Sequence, residues 1–373
     1  MPKNLRKSLI DKGKIKDLQS QKRQLNLGVI SFFIFSVLAL VYFANIHTAS
    51  REDSLTISTA GNEQMTPTPM PFQELTIPFL RSRSYTSTLG NREFSHNGSN
   101  YSAYLTSYGS DELRINGLLT IPIGERPAEG FPAIVFVHGY IPPSQYQTLE
   151  KYVDYVDYLA SSGFVVFKID LRGHGTSEGE PGGAYYSADY VIDTLNARAA
   201  LQSSDFVNPN AIGLWGHSMA GNIVMRSMAA QPDIAAGAMW GGAVYTYADM
   251  REYGIQDSSY QRPQMPNTPQ QQNRRQNISE IHGDPESNSP FWQQMAPTNY
   301  LTDLRGAVAL HHAINDDVVS VEYSRGLSEL LDATSVPHEH YEYPSGGHNL
   351  DGESFGLAMQ RTVEFFQKNL AGK

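Results

Sequence analysis

From residue 132 to the C-terminus, short apolar runs alternate with helix-like stretches, and no other feature of the chain restricts its fold as much. The runs 132–137 (PAIVFV), 164–169 (FVVFKI), 211–215 (AIGLW), 235–240 and 307–311 are too short for helices and lack the polar alternation of a half-exposed strand. They read as strands buried on both faces. Between them, 149–160, 188–201, 222–230 and 321–331 have helical character, with Ser187 placed to cap the second. A last strand near 339–343 and a helix over 354–370 complete the series. Strand and helix in turn imply a mostly parallel, doubly wound α/β sheet. Upstream, 101–107 and 112–121 are β-rich and separated around Gly109 and Ser110, so an antiparallel hairpin should lead into that sheet.

A chain of 373 residues with 40% hydrophobic content can bury one large core, and a single domain over 74–373 accounts for it. The formal charge of -10 hides an asymmetry. Residues 1–26 carry eight Lys/Arg against Asp11 and Asp17, which leaves about -16 on the rest. An acidic body excludes nucleic acid as a partner, since phosphate binding needs a basic face. The absence of cysteine excludes disulfides and thiolate metal sites and fits an exported protein. Residues 27–44 (LGVISFFIFSVLALVYFA) form an 18-residue run without a charge. As a helix it is about 27 Å long, close to the hydrocarbon thickness of a bilayer. We expect 27–46 to be a single N-terminal transmembrane helix, with 1–26 cytoplasmic and the body on the extracytoplasmic side of the plasma membrane. A cleaved signal peptide fits less well, because the run exceeds the usual apolar core and no clean A-x-A site follows. A buried soluble helix is the third reading. Residues 47–73, polar and without period around TPTPMP, read as a flexible linker.

One interval breaks the alternation. More than fifty residues, about 245–300, separate two strands, and 260–278 is crowded with Gln, Asn and Pro. We expect a cap insertion over the carboxyl ends of the strands, where α/β folds bind ligands. Its middle has little to bury and is expected to be a mobile lid.

Chemistry concentrates at the strand ends. Leu214-Trp215-Gly216-His217-Ser218-Met219-Ala220-Gly221 follows an apolar strand and opens a helix, the context of a nucleophile elbow. Small residues must flank such a serine so that strand and helix can cross closely; Gly216 and Ala220 stand there, Ala220 in place of the usual second glycine. A serine nucleophile needs a base, and the base needs a carboxylate to set its tautomer. Asp316, in Asn315-Asp316-Asp317-Val318, follows one strand, and His348, in Gly346-Gly347-His348, follows the next, which is the order Ser, Asp, His. Solvated turn residues are the bland reading of each; the three together outweigh it. Phe136-Val137-His138-Gly139-Tyr140 ends the first parallel strand, where Tyr140 can donate to a developing oxyanion beside the N–H of Met219. Asp170 and Arg172, in a Gly-punctuated turn with His174, are expected to brace the loops beneath.

From about Ser102 onward the chain resembles the catalytic domain of the prolyl oligopeptidase family and the related acylaminoacyl-peptidase and dienelactone-hydrolase-like enzymes. The resemblance rests on 170–179 (DLRGHGTSEG), 216–221 (GHSMAG), 289–300 (SPFWQQMAPTNY) and 316–319 (DDVV). It implies an α/β-hydrolase fold, a triad of Ser218, Asp316 and His348 in which the first carboxylate of the Asp pair points inward, and no cofactor. His138-Gly139-Tyr140-Ile141 stands where many relatives have His-Gly-Gly-Pro, which leaves open whether Tyr140 donates its backbone N–H or its phenol. The β-propeller that restricts substrates in the family's peptidases has no counterpart in these 373 residues. We therefore expect a membrane-anchored serine hydrolase acting on a small peptide or ester. A carboxylesterase or lipase is the rival enzyme reading, and a non-catalytic binding protein on a hydrolase scaffold is the rival of another class. His311, His312, His338 and His340 invite a metal reading, and His338 and His340 share a strand face, but no carboxylate cluster joins them, so no metal is expected.

Overall fold

The computed structural model describes residues 69–255, 269–285 and 288–373, and Pro69–Lys373 form one compact unit. The expected helix over 27–46 lies outside the described residues. Among those described, no helix is long and apolar enough to cross a membrane.

Nine strands make one sheet in the order β1-β2-β3-β5-β4-β6-β7-β8-β9. Strands β1 (Glu93–Asn97), β2 (Tyr101–Ser110) and β3 (Leu113–Pro122) form an antiparallel edge, and β3 pairs antiparallel with β5 (Val165–Ile169). The hairpin turn falls two residues later than the sequence implied. Asp111 and Glu112 take φ of 48° and 66°, the left-handed pair of a two-residue turn whose twist suits the flanking strands, so Gly109 and Ser110 remain in β2. From there β5, β4 (Phe131–Val137), β6 (Val207–His217), β7 (Ala236–Trp240), β8 (Ala307–Ala313) and β9 (His338–Tyr343) run parallel. The side chains of all but β9 are almost all buried, which is why those five sequences are apolar runs, whereas the edge strand β9 (HEHYEY) is mostly half-buried and polar.

Helices cover both faces. On one side, α1 (Ile77–Ser82), α3 (Asp189–Gln202), α4 (Ala220–Ala230) and α8 (Glu322–Asp332) pack on a core that includes Leu119, Val135, Leu195, Ile223 and Leu327. On the other, α2 (Val153–Ser161) and α9 (Glu353–Leu370) close over Ile134, Phe136, Val166, Trp215 and Phe366. Each such side chain contributes about 1.5–3 kcal/mol by leaving water. Helix α3 begins at Asp189 with Ala188 as its N-cap, one residue after the expected Ser187, whose hydroxyl still accepts the Asp189 N–H at 3.0 Å.

The connection after β4 crosses to β5 and the next returns to β6 on the opposite side of β4. Chain direction thus diverges between β4 and β6, and the crevice at their carboxyl ends is where such sheets bind ligands. Between β7 and β8 lie α5 (Tyr247–Tyr253), α6 (Pro269–His282), α7 (Pro290–Met295) and a short 3-10 segment, Pro297–Asp303. The stretch expected to be a mobile lid, 260–278, is helical in its second half. Residues from Pro269 onward are helical, and Ile278 is fully buried. Arg274 pairs with Glu74 at 2.9 Å, and Nε2 of His282 lies 2.8 Å from the Pro71 carbonyl oxygen. Residues 256–268 lie outside the described residues.

Candidate active site

Strand β6 ends at His217, helix α4 begins at Ala220, and Ser218 between them has φ of 55°. That left-handed conformation is costly for any residue with a Cβ, and the surroundings hold it. The Ser218 N–H donates to the Trp240 carbonyl at 2.9 Å, and its own carbonyl accepts from Gly221 at 2.9 Å and Ala243 at 3.3 Å. Two glycines permit close approaches at the elbow. A Cβ on Gly216 would stand 2.8 Å from the Ala220 carbonyl oxygen, and one on Gly221 would stand 2.6 Å from Cα of Gly242. Ala220 itself fits with its methyl buried against Gly216, and Gly221 serves a second close approach, to Gly242 in the segment after β7. Met219 is the N-cap of α4 and opens the helix with its backbone N–H, the end of a helix at which unpaired N–H groups favour negative charge.

Asp316 lies on the loop after β8 and His348 on the loop after β9. Their side chains meet, Nδ1 of His348 donating to Oδ2 of Asp316 at 2.8 Å. The other oxygen, Oδ1, accepts the N–H groups of Val318 and Val319, both at 2.9 Å. The Asp316 side chain is 1% exposed, whereas Asp317 is exposed. Burial alone would push the Asp316 carboxyl up; hydrogen bonds from His312 and His348, the charge of His348 and the Val319 N–H outweigh it and hold the pKa well below the usual carboxylate range. Gly241, with φ of 50°, passes beneath this pair, where a Cβ would stand 3.2 Å from Oδ2 of Asp316 and 3.3 Å from Nδ1 of His348. The His348 ring lies 4.6 Å from that of His217, the neighbour of Ser218, so the base is brought to the elbow.

His312 was read from the sequence only as a metal candidate. It is fully buried, its Nε2 lies 2.9 Å from the Val319 carbonyl oxygen and 3.2 Å from Oδ2 of Asp316, and its Nδ1 lies 2.7 Å from the Ser324 hydroxyl. A carbonyl only accepts, so Nε2 carries the proton and shares it with the Asp316 carboxylate. The one signal available in the sequence was its place four residues before Asp316.

Gly139 follows β4, and its N–H donates to the Tyr152 hydroxyl at 3.0 Å; the next residue, Tyr140, is 55% exposed at the mouth of that loop. Asp170 accepts from the hydroxyls of Tyr146 and Thr148, and Arg172 forks onto Asp193 while reaching Asp189. Both residues brace loops. His174 is buried with its ring nitrogens 3.2 Å from the carbonyl oxygens of Arg172 and Ile141, which makes it part of the same bracing. His338 is engaged by Asp332 and the Val336 carbonyl, and among the described residues no group of three or more metal-ligating side chains gathers.

The geometry has counterparts in known proteins. A family model described as "Serine aminopeptidase, S33" matches residues 128–275, a span that holds Ser218 but neither Asp316 nor His348. The uncharacterized peptidase YtmA of Bacillus subtilis is 25% identical over 249 residues, 66% of this chain and 85% of its own length. Porphyromonas gingivalis dipeptidyl peptidase 4 superposes with a TM-score of 0.55 at 20% identity, over 72% of this chain and 36% of that one. The acetyl xylan esterase of Paenibacillus sp. R4 gives 0.55 at 17% identity, over 77% and 91%. Acylaminoacyl peptidase of Pyrococcus horikoshii gives 0.55 at 19%, over 73% and 42%. The chain therefore spans well under half of the two peptidases and nearly all of the esterase. At these identities the structural likeness speaks for the fold.

Proposed function

We propose that this chain is a serine hydrolase of the α/β-hydrolase superfamily and that it cleaves a peptide or ester bond through an acyl-Ser218 intermediate. The observation that carries the reading is the hydrogen-bonded Asp316–His348 pair beside a serine held at φ 55°. Oγ of Ser218 attacks the substrate carbonyl carbon as its proton passes to Nε2 of His348, and the carbonyl oxygen becomes an oxyanion. The N–H groups of Met219 and Tyr140 receive that charge. His348 then gives the proton to the departing amine or alcohol, which leaves the acyl group on Ser218. Water, deprotonated by His348, attacks the acyl carbon and releases the acid and free Ser218. Asp316 keeps Nδ1 of His348 protonated throughout and stabilises the imidazolium.

A peptide substrate is supported by the match to the serine aminopeptidase model and by the peptidase relative. A carboxylesterase is the second reading, favoured by the esterase that the chain matches over nearly its whole length. On either reading 27–46 anchors the enzyme in the membrane, with the catalytic unit outside. The test is a panel of chromogenic esters and aminoacyl amides, run with a fluorophosphonate probe on the wild type and on Ser218→Ala. We expect turnover of at least one class and labelling at Ser218, both lost in the variant. Labelling that persists in Ser218→Ala would remove Ser218 as the nucleophile.

A further inference from the structure

The start of α2 carries two tyrosines whose hydroxyls reach the loops around the proposed triad. Tyr152, the N-cap of α2, is held at φ 59°, a conformation that a bulky side chain adopts only when its surroundings impose it. Its hydroxyl accepts the Gly139 N–H at 3.0 Å and stands 2.8 Å from Nδ1 of His217. Nε2 of His217 in turn stands 2.9 Å from the carbonyl oxygen of His348.

These contacts admit one assignment of protons. The His348 carbonyl can only accept, so His217 carries its proton on Nε2. Burial first, then the charge of His348, lowers the His217 pKa to about 3, so the ring is neutral and Nδ1 offers a lone pair. Tyr152 fills it with its O–H, which leaves the phenol oxygen free to accept from Gly139. Every donor and acceptor is then used, in one directed chain from Gly139 to Tyr152 to His217 to the backbone of His348. One helical turn on, the Tyr155 hydroxyl donates to the Asn349 carbonyl at 2.8 Å. The loop so held needs holding. Gly346 and Gly347 have φ of 121° and 57° and Leu350 has 55°, and a glycine pair in such a loop has much freedom to lose on ordering.

We propose that Tyr152 is a positioning residue: through Gly139 and His217 its hydroxyl locks the oxyanion loop, the elbow and the His348 loop into one register. The proposal rests on the reading of Ser218, Asp316 and His348 as the triad. It assigns His217 a purpose that the elbow motif leaves unspecified, since that position lies between glycine and serine and carries no chemistry of its own.

The test uses the full-length chain in detergent, with steady-state kinetics on a small activated ester for the wild type, Tyr152→Phe, His217→Phe, their double variant and Ser218→Ala. Nitrogen-15 histidine NMR reads the His217 tautomer, its signals assigned by their loss in His217→Phe. Tyr152→Phe deletes one oxygen and should lower kcat about 10- to 100-fold while KM stays within about threefold, the signature of misplaced reacting groups. The double variant should lose no more than the worse single one, because both break the same chain. His217 should be the Nε2–H tautomer in the wild type and a mixture in Tyr152→Phe. A kcat for Tyr152→Phe within about twofold of wild type, or losses that multiply in the double variant, overturns the proposal. So does an Nδ1–H tautomer in the wild type, a result that needs no variant to fold. Activity that survives Ser218→Ala is a separate outcome, which removes the triad reading itself.

Discussion

At the residue scale, part of the backbone strain lies where the chemistry is. Of the eight non-glycine residues with positive φ among those described, Tyr152, Ser218 and Leu350 belong to the elbow, the helix start bonded to it and the His348 loop, whereas Phe72, Asp111 and Glu112 lie elsewhere. Such residues cost of order 1–3 kcal/mol each and persist only where neighbours over-determine them. The Asp316–Asp317 pair shows the same selectivity in side chains. Asp316 takes four donors, from His348, His312, Val318 and Val319, while Asp317 faces solvent. Asp316→Asn presents an amide N–H or a neutral oxygen to His348 and destroys the tautomer control, so kcat should fall by about four orders of magnitude. Asp317→Asn should change it little. Kinetics of the two variants on one ester checks this, and the reverse ranking would transfer the role to Asp317.

The cap helix α6 shows what an element can hide. Its sequence, PQQQNRRQNISEIH, is so polar that burial is hard to see in it, yet Ile278 is fully buried and Arg274 and His282 tie the helix to Glu74 and Pro71. Besides Ile278, polar and ring contacts hold the helix, with Arg275 over the Tyr186 ring and His282 stacked on Phe291. Ile278→Ala should cost about 2–5 kcal/mol of packing, seen as faster hydrogen exchange confined to α6. If α6 screens the cleft, kcat/KM for a small activated ester should stay within about tenfold of wild type, roughly 1.4 kcal/mol, while bulkier substrates gain. Collapse of small-ester turnover with the rest of the fold intact would mean that the segment builds the site.

On the scale of the whole molecule, buried imidazoles make folding sensitive to acid. His138, His217 and His311 are all covered. Burial lowers all three, with the charge of His348 adding at His217 and that of Arg361 at His311, and these two fall to about 3. In the unfolded chain they titrate near 6.5, so below that pH the unfolded state binds more protons than the folded one. Stability is therefore full above pH 6.5 and falls toward pH 3, by up to about 1.4 kcal/mol per pH unit for each imidazole. Asp316, depressed in the folded state, adds its own loss only below the ordinary aspartate range. Denaturant titrations from pH 8 to 4 should show a midpoint that holds to about pH 7 and then declines; a flat midpoint would contradict this linkage. The second whole-molecule expectation concerns topology. With the Lys/Arg excess confined to residues 1–26 ahead of the 27–44 run, protease added to intact cells should remove the catalytic unit. Protection until lysis, with a C-terminal reporter in agreement, would reverse the orientation.

The sequence by itself determined the sheet and the order of the chemistry. Doubly buried strands must be continuous apolar runs, an elbow must have glycine where strand and helix cross, and both are local demands that local residues record. The proposed Ser218, Asp316 and His348 could be named for the same reason, each standing on a loop just after such a run. The partners of those residues were decided only in the folded molecule. His217 and Tyr152 are 65 residues apart, His217 and His348 are 131 apart, and nothing in the neighbourhood of any one of them announces the others. Ile278 in its polar helix and the two-residue shift of the turn to Asp111–Glu112 belong with them. Periodicity reports which face of an element is buried, whereas a hydrogen bond between loops depends on where several crossovers end, and that is settled when the sheet closes its layers.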